Sequence, residues 1–424
     1  MKRPTPASLK KVTAENLVNL GAERLAEILV GVADVRPELK RRLRMELAAE
    51  QGAEHLAVEI DKRLASLETS RSKILWRQRP SFVRDVDVLR GLIAKRLAEL
   101  DRQAALDRMW LFMDLAKRLG LRVRDRDGEL AAVFLRAAGD IGALLTEVDP
   151  DRAAGALVDA MIKAPFDWAE WLAMVLVQTA PEMAEAALRL MSVKRGAVPG
   201  WIPLIRQLAD AAGDVDAYMS SYTDDALRTP SAAADVAKRL LASGRVDETG
   251  RVLEAAAPPA NEPRSSLSGR GKTAGPDFDW ETAWIDYLEQ SGQGGAAQSA
   301  RWASFERTLS VDRARAFTRR LTDFEDVEAE GRAFEFASNH PDFQQGLAFL
   351  MAWPAMSEAA RMIEARSDDV RVEADQAELW AAKLRARHPA AAHLLLRRAA
   401  AAAFRRGQFA TSDKLSQEAD SISL

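Results

Sequence analysis

No cysteine occurs anywhere in the 424 residues. That excludes a disulfide framework, thiolate zinc sites, thiol catalysis and iron–sulfur clusters. It also suits a reducing compartment. Histidine is nearly as scarce, with His55, His340, His388 and His393 the complete set. His388 and His393 are five apart, about 140° around a helix, so they do not share a face as metal-binding pairs do. His340 and His388 each precede a proline, where they suit a helix-start turn. Long apolar runs are missing too. A run as long as any, 171–177, falls far short of the roughly 20 residues a membrane-crossing helix needs. The N-terminal MKRPTPASLKK is basic, but no apolar stretch follows it, so it does not read as a secretory signal. Sustained period-two alternation is absent as well, which argues against sheet. The chain reads as soluble and cytoplasmic.

What is present is helix-forming and charged. Apolar residues make up 48% and charged residues 29% of the chain, ample for a packed core. Ala, Leu, Arg and Glu dominate, and they favour helix. The net charge of −3 is unevenly spread. Residues 1–130 hold 27 basic and 20 acidic residues, a balance of +7, and the remainder holds 33 and 43, a balance of −10. Such asymmetry fits two binding faces, or simple drift of composition.

The helical period runs through most of the chain. Leu17, Leu20, Leu25, Ile28, Leu29 and Val32 form an apolar stripe. Gly21 marks a turn between a short helix and a longer one, and Pro37 suits the first position of the next. Residues 85–119 predict one long helix or two in tandem, closed by Gly120 as a C-cap. Residues 124–128, RDRDG, form the next turn. Pro150, Pro165, Pro181, Pro199, Pro230, Pro341, Pro354 and Pro389 punctuate the rest, each suiting a helix start. Thr179-Ala180-Pro181-Glu182 matches a capping box. Leu240–Arg245, LLASGR, recurs as Leu288–Gln293, LEQSGQ, with Arg406-Gly407-Gln408 as a weaker third instance. Each reads as helix, glycine turn, helix. This is the grammar of helical-hairpin repeats. Residues 255–276, rich in Pro, Gly and Ser, predict a flexible loop. The expected fold is all-α: a right-handed α-solenoid of stacked, tetratricopeptide-like hairpins without significant sheet. Its expected sections are an N-terminal helical region at 1–148, hairpin repeats at 149–254, the loop at 255–276 and further repeats at 277–424.

Several blocks carry a resemblance. ARWASFERTLS (300–310), LTDFEDVEAE (321–330), LAFLMAWPAMSEAARM (347–362) and ARHPAAAHLLLRRA (386–399) resemble a bacterial all-helical family classed as a domain of unknown function. LGAERLAEILVGVAD (20–34) and RQRPSFVRDVDVLRGL (77–92) are similar to its earlier part. The ending RRGQFATSDKLSQEAD (405–420) departs from the family's more His- and Tyr-containing one. The resemblance implies the helical fold and brings no activity, substrate or catalytic residue.

Most chemical motifs fail on spacing. Gly271-Lys272-Thr273 ends like a P-loop, but the required earlier glycine is Ser266. Asp125-Arg126-Asp127-Gly128 resembles part of a calcium loop. In register, its first and twelfth ligands would be Val123 and Phe134, neither of which can coordinate calcium. Asp323, Glu325, Asp326, Glu328 and Glu330 form a dense acidic cluster. Paired acids can run hydrolysis when their environments separate their titrations. An acidic helix start is the plainer account. No strand-bound nucleophile motif such as G-x-S-x-G is present. No catalytic residue, metal ligand or cofactor is assigned.

The strongest charged feature is Arg71, Lys73, Arg77, Arg79 and Arg84, with Trp76 and Phe82 interleaved and no acid between. Cations with aromatics hold phosphates and stack bases. An acidic protein partner, or the chain's own acidic half, fits the same residues at least as well. Against nucleic acid stands the overall pI of about 6.0, when domains that bind it usually exceed about 9. Trp280, Trp284 and Trp302 sit at helical neighbour spacing to other aromatics. They suit packing between hairpins, or anchors in a partner groove. The favoured expectation is a non-enzymatic scaffold for a protein or peptide, with no membrane role. Polyanion or nucleic-acid binding through 71–84 is the alternative, and a carboxylate enzyme a weaker one.

Overall fold

The computed structural model describes residues 12–193, 199–258 and 278–423. Among them every regular element is helical and no strand occurs. The fold is all-α, as the composition and period predict. Residues 259–277 lie outside the described set, and with them most of the expected loop and the whole of Gly271-Lys272-Thr273.

Local sequence sets the helix boundaries. Pro37, Pro150, Pro165, Pro181, Pro230 and Pro389 each open a helix, where the missing N–H costs nothing. Pro199, Pro341 and Pro354 instead sit in turns just before helices that begin at Trp201, Phe343 and Met356. In the second case Asp342 takes over as cap, accepting from the Gln345 N–H at 3.1 Å. The Thr179 hydroxyl makes no capping-box bond. It donates back to the Val175 carbonyl at 3.4 Å.

The 85–119 stretch is more broken than its lack of proline suggests. Arg79–Gly91 runs into a π-helical stretch, Leu92–Leu97, and ends with Ala98–Leu100. Asp101 then caps Arg102–Asp114, its carboxylate accepting from Ala104 N–H at 2.9 Å. Gly120 lies inside the following helix, Ala116–Arg122, and caps nothing.

The repeated glycine turn is real and uniform. Gly244, Gly292 and Gly407 have φ of 76°, 77° and 75°. In each, the residue after glycine donates to the carbonyl five back: Arg245 to Leu240 at 2.8 Å, Gln293 to Leu288 at 2.8 Å and Gln408 to Ala403 at 3.0 Å. This closes a helix with a left-handed residue that only glycine adopts cheaply. Gly213 repeats it at φ 68°, with Asp214 bonded to Ala209 at 2.9 Å.

The chain divides into two compact units, Met1–Ser221 and Tyr222–Leu424. In the first, one core runs from Met45 to Leu208, passing through residue 148 without interruption. Glu129–Leu145 packs on Pro165–Leu176, which packs on Trp201–Ala212, while Pro150–Lys163 packs on Pro181–Val193. Hairpin thus stacks on hairpin in two layers, the arrangement of an α-solenoid. The second unit repeats it, with Pro230–Ala242 on Phe278–Gln290 and Met356–Ala365 on Pro389–Arg405. Its larger core spans Phe305 to Ile422.

Candidate functional site: a basic knuckle on the first unit

Residues 70–75 leave the helix Ala53–Thr69 as extended chain and turn at 76–78 into the helix Arg79–Gly91. This crossing is laced to the end of Ala116–Arg122. Ile74 N–H donates to the Arg122 carbonyl at 3.0 Å. Arg122 Nε donates to the Ser72 carbonyl at 2.9 Å and Lys73 Nζ to the Leu121 carbonyl at 2.8 Å. Arg122 also covers the Phe82 ring at 5.5 Å. Burial holds the Arg122 guanidinium below its ordinary range, and the nearby Arg63 adds to that.

The lacing brings a second basic segment, Lys117 to Arg126, beside the first. Sequence spacing gives no sign of this pairing, because some 40 residues separate the two. Arg71, Arg77, Arg84, Lys117, Arg124 and Arg126 are all exposed, and among the described residues no side-chain ion pair neutralises them. Arg79 differs. It is half-buried and pairs with Asp127 at 2.5 Å and Glu129 at 3.5 Å. Lys73 is tied to a carbonyl. Of the five predicted basic residues, three are therefore free and two help hold the crossing.

At the tip stands Trp76, 76% exposed, with Arg77 over its ring at 5.1 Å. Leu75 and Leu121 are 64% and 69% exposed. These apolar side chains stay in water beside the exposed cations and add nothing to the core.

The predicted aromatics of the second unit are differently placed. Trp280 and Trp284 stack at 5.5 Å and 8° and pack against Leu253 and Ala283. The Trp280 indole N–H donates to the Leu253 carbonyl at 3.0 Å. Trp302 packs on Phe305 and Phe317, and Arg332 lies over its ring at 5.1 Å. All three are half-buried, and much of their area is committed to hairpin packing.

The acidic cluster opens the helix Glu325–Asn339, and Asp323, Glu325 and Glu328 are exposed. Between them Phe324 projects 83% exposed at φ 76°, an unusual conformation for an aromatic residue. The acids that do converge on a cavity are others. Asp235, Asp279 and Asp286 line a groove of about 660 Å³ between Pro230–Ala242 and Phe278–Gln290, with Lys238 and Tyr222. Partial burial and the neighbouring Glu289 carboxylate raise Asp286 above the usual aspartate range. Among the described residues no group of three His, Asp or Glu side chains is placed to hold a metal ion. Among the same residues no helix is long and apolar enough to cross a membrane. Asp125 accepts from Ala131 N–H at 2.9 Å, so the RDRDG turn serves as a helix entry.

Fold and surface together define an all-helical hairpin-stack protein with an exposed basic knuckle. The chain belongs to the family of unknown function DUF6880, whose model matches residues 7–194 and 200–411. No curated protein matches it.

Proposed function

We propose that the chain is a non-enzymatic cytoplasmic binding scaffold. On this reading the knuckle around Trp76 takes an acidic segment of a partner protein. The observation that carries it is the exposed Trp76–Arg77 pair, with Leu75 and Leu121 also exposed, on a crossing that carries the exposed cations Arg71 and Arg84. Tryptophan and arginine dominate interface hot spots, and unpaired cations steer acidic partners. Stacked hairpins offer rigid, extended surfaces for such contacts, an argument from architecture alone.

Nucleic acid is the second reading, because Trp76 offers a face on which a base can stack. Leu75 and Leu121 favour protein, since leucine gives a base no such face. The test is recovery of partners from native lysate by the tagged full chain, with and without nuclease. It is repeated with Trp76→Ala and with Arg71→Glu/Arg77→Glu/Arg84→Glu. A stoichiometric protein that survives nuclease and is lost from both variants supports the proposal. A protein retained by both overturns it, and nuclease-sensitive recovery moves the second reading to the front.

A further inference from the structure

Among the described residues, the N-terminal hairpin carries an apolar face that stays exposed. Helix Ala22–Val35 packs on Pro37–Ala49, yet Ala33 is its one buried residue. Leu25, Ile28, Leu29, Val32 and Val35 follow one another at spacings of three, one, three and three. In heptad terms they occupy a, d, e, a and d, the seam of a helix that packs on another helix. Leu25 is half-buried and the other four are exposed. Leu17 and Leu20, before the Gly21 turn, are exposed as well.

We infer that this seam is a self-association surface that pairs two copies of the chain through their N-terminal hairpins. Charge allows it. Glu23, Glu27 and Asp34 fall off the seam, and Arg24 is already paired with Glu27 at 3.0 Å. The seam's flanking positions are Ala22, Arg24, Leu29 and Gly31, so two copies meet little like charge. A Cβ built at Gly31 meets nothing within 4 Å, which leaves room for a close neighbouring backbone. Area allows it as well. With Leu17 and Leu20 included, the exposed apolar side chains of this end present on the order of 500 Å² per copy, so a pair that covers all of them hides about 1,000 Å², the lower bound for a specific interface. Two hairpins meeting this way form a four-helix bundle, a stable association for helices each too short to pair alone.

The test is the mass of the full chain in solution, by light scattering after size exclusion at tens of micromolar. The expected result is twice the 46.6 kDa of one chain. Ile28→Asp/Val32→Asp is expected to give the single-chain mass with unchanged helical circular dichroism. Val35→Lys, at a position open to water in one copy, is expected to weaken the pair at least tenfold without touching the fold. Glu23→Lys, off the seam, is expected to keep the dimer. A wild-type chain of single mass throughout overturns the inference, as does a dimer that survives both seam variants. These variants lie outside the Trp76 knuckle, so the two proposals fail separately.

Discussion

Arg77 lays its guanidinium over the indole of Trp76, 5.1 Å from the ring centroid, and among the described residues neither side chain has a hydrogen bond or ion pair. An exposed cation–π pair is worth about 0.5–1 kcal/mol. Holding a tryptophan this far into water costs more than that in lost burial, about 2 kcal/mol for a large apolar side chain. Stability therefore gives no reason for the arrangement, whereas contact with a partner does. Trp76→Ala is expected to shift the midpoint of chemical denaturation negligibly and to weaken partner binding at least tenfold. Calorimetric titration alongside urea unfolding checks both halves.

The basic residues around this tip separate into two kinds. Arg71, Arg77 and Arg84 are free, so reversing their charge is expected to leave stability within about 0.5 kcal/mol. Arg79 binds Asp127, Glu129 and the Arg124 carbonyl at 3.3 Å. Arg79→Ala removes a half-buried hub and is expected to cost about 1–2 kcal/mol. The free residues also predict binding that falls steeply between low and physiological salt. Unfolding curves for the four single variants, with binding measured at two salt concentrations, decide it.

Gly142 and Gly292 predict different penalties for the same substitution. A Cβ at Gly142 would lie 2.7 Å from the Val175 carbonyl oxygen, a backbone atom that cannot move aside. Gly142→Ala is expected to cost about 2–3 kcal/mol through overpacking between stacked helices. At Gly292 the space is open and φ is +77°, so Gly292→Ala is expected to cost only about 1–2 kcal/mol of left-handed strain. Urea denaturation of the two variants reads the difference.

The helical fold was legible because period, proline placement and glycine turns all act locally. LLASGR and LEQSGQ announce the same left-handed closure because the geometry is built within six residues. Gly120 misled for the complementary reason. The helix Ala116–Arg122 runs two residues past it and closes at Val123, whose N–H donates to the Leu119 carbonyl at 2.9 Å, a bond that apolar period does not show. At the site, the 71–84 cations were legible as a run. Their junction with Lys117–Arg126 was not, since it depends on the Ile74–Arg122 backbone bond across a chain reversal. The acids of 323–330 drew attention by density alone. Asp235, Asp279 and Asp286 share a groove because two helices 40 residues apart pack together.

The second unit places ionised groups where pH acts on stability with opposite signs. Arg301 is 2% exposed and pairs with Glu289, which also accepts from Arg320 at 2.6 Å. Burial pushes the Glu289 carboxyl up, but hydrogen bonds from Arg320 and Arg301 outweigh it and hold the carboxyl below the usual glutamate range. A depressed folded value means stability that is full above the unfolded pKa and lost as pH falls through the folded one. Asp286, raised by burial and by Glu289, binds its proton more readily when folded. Its ionisation therefore subtracts stability as pH rises through its folded value. Glu289→Gln is expected to cost about 3 kcal/mol at neutral pH by leaving Arg301 buried without its carboxylate. It is also expected to flatten the acid limb of the stability–pH curve. Asp286→Asn is expected to raise stability at neutral pH and to leave the acid limb steep. Urea midpoints measured from pH 3 to pH 8 for wild type and both variants separate the two effects. Parallel curves for all three would show that neither carboxyl sets the acid limb.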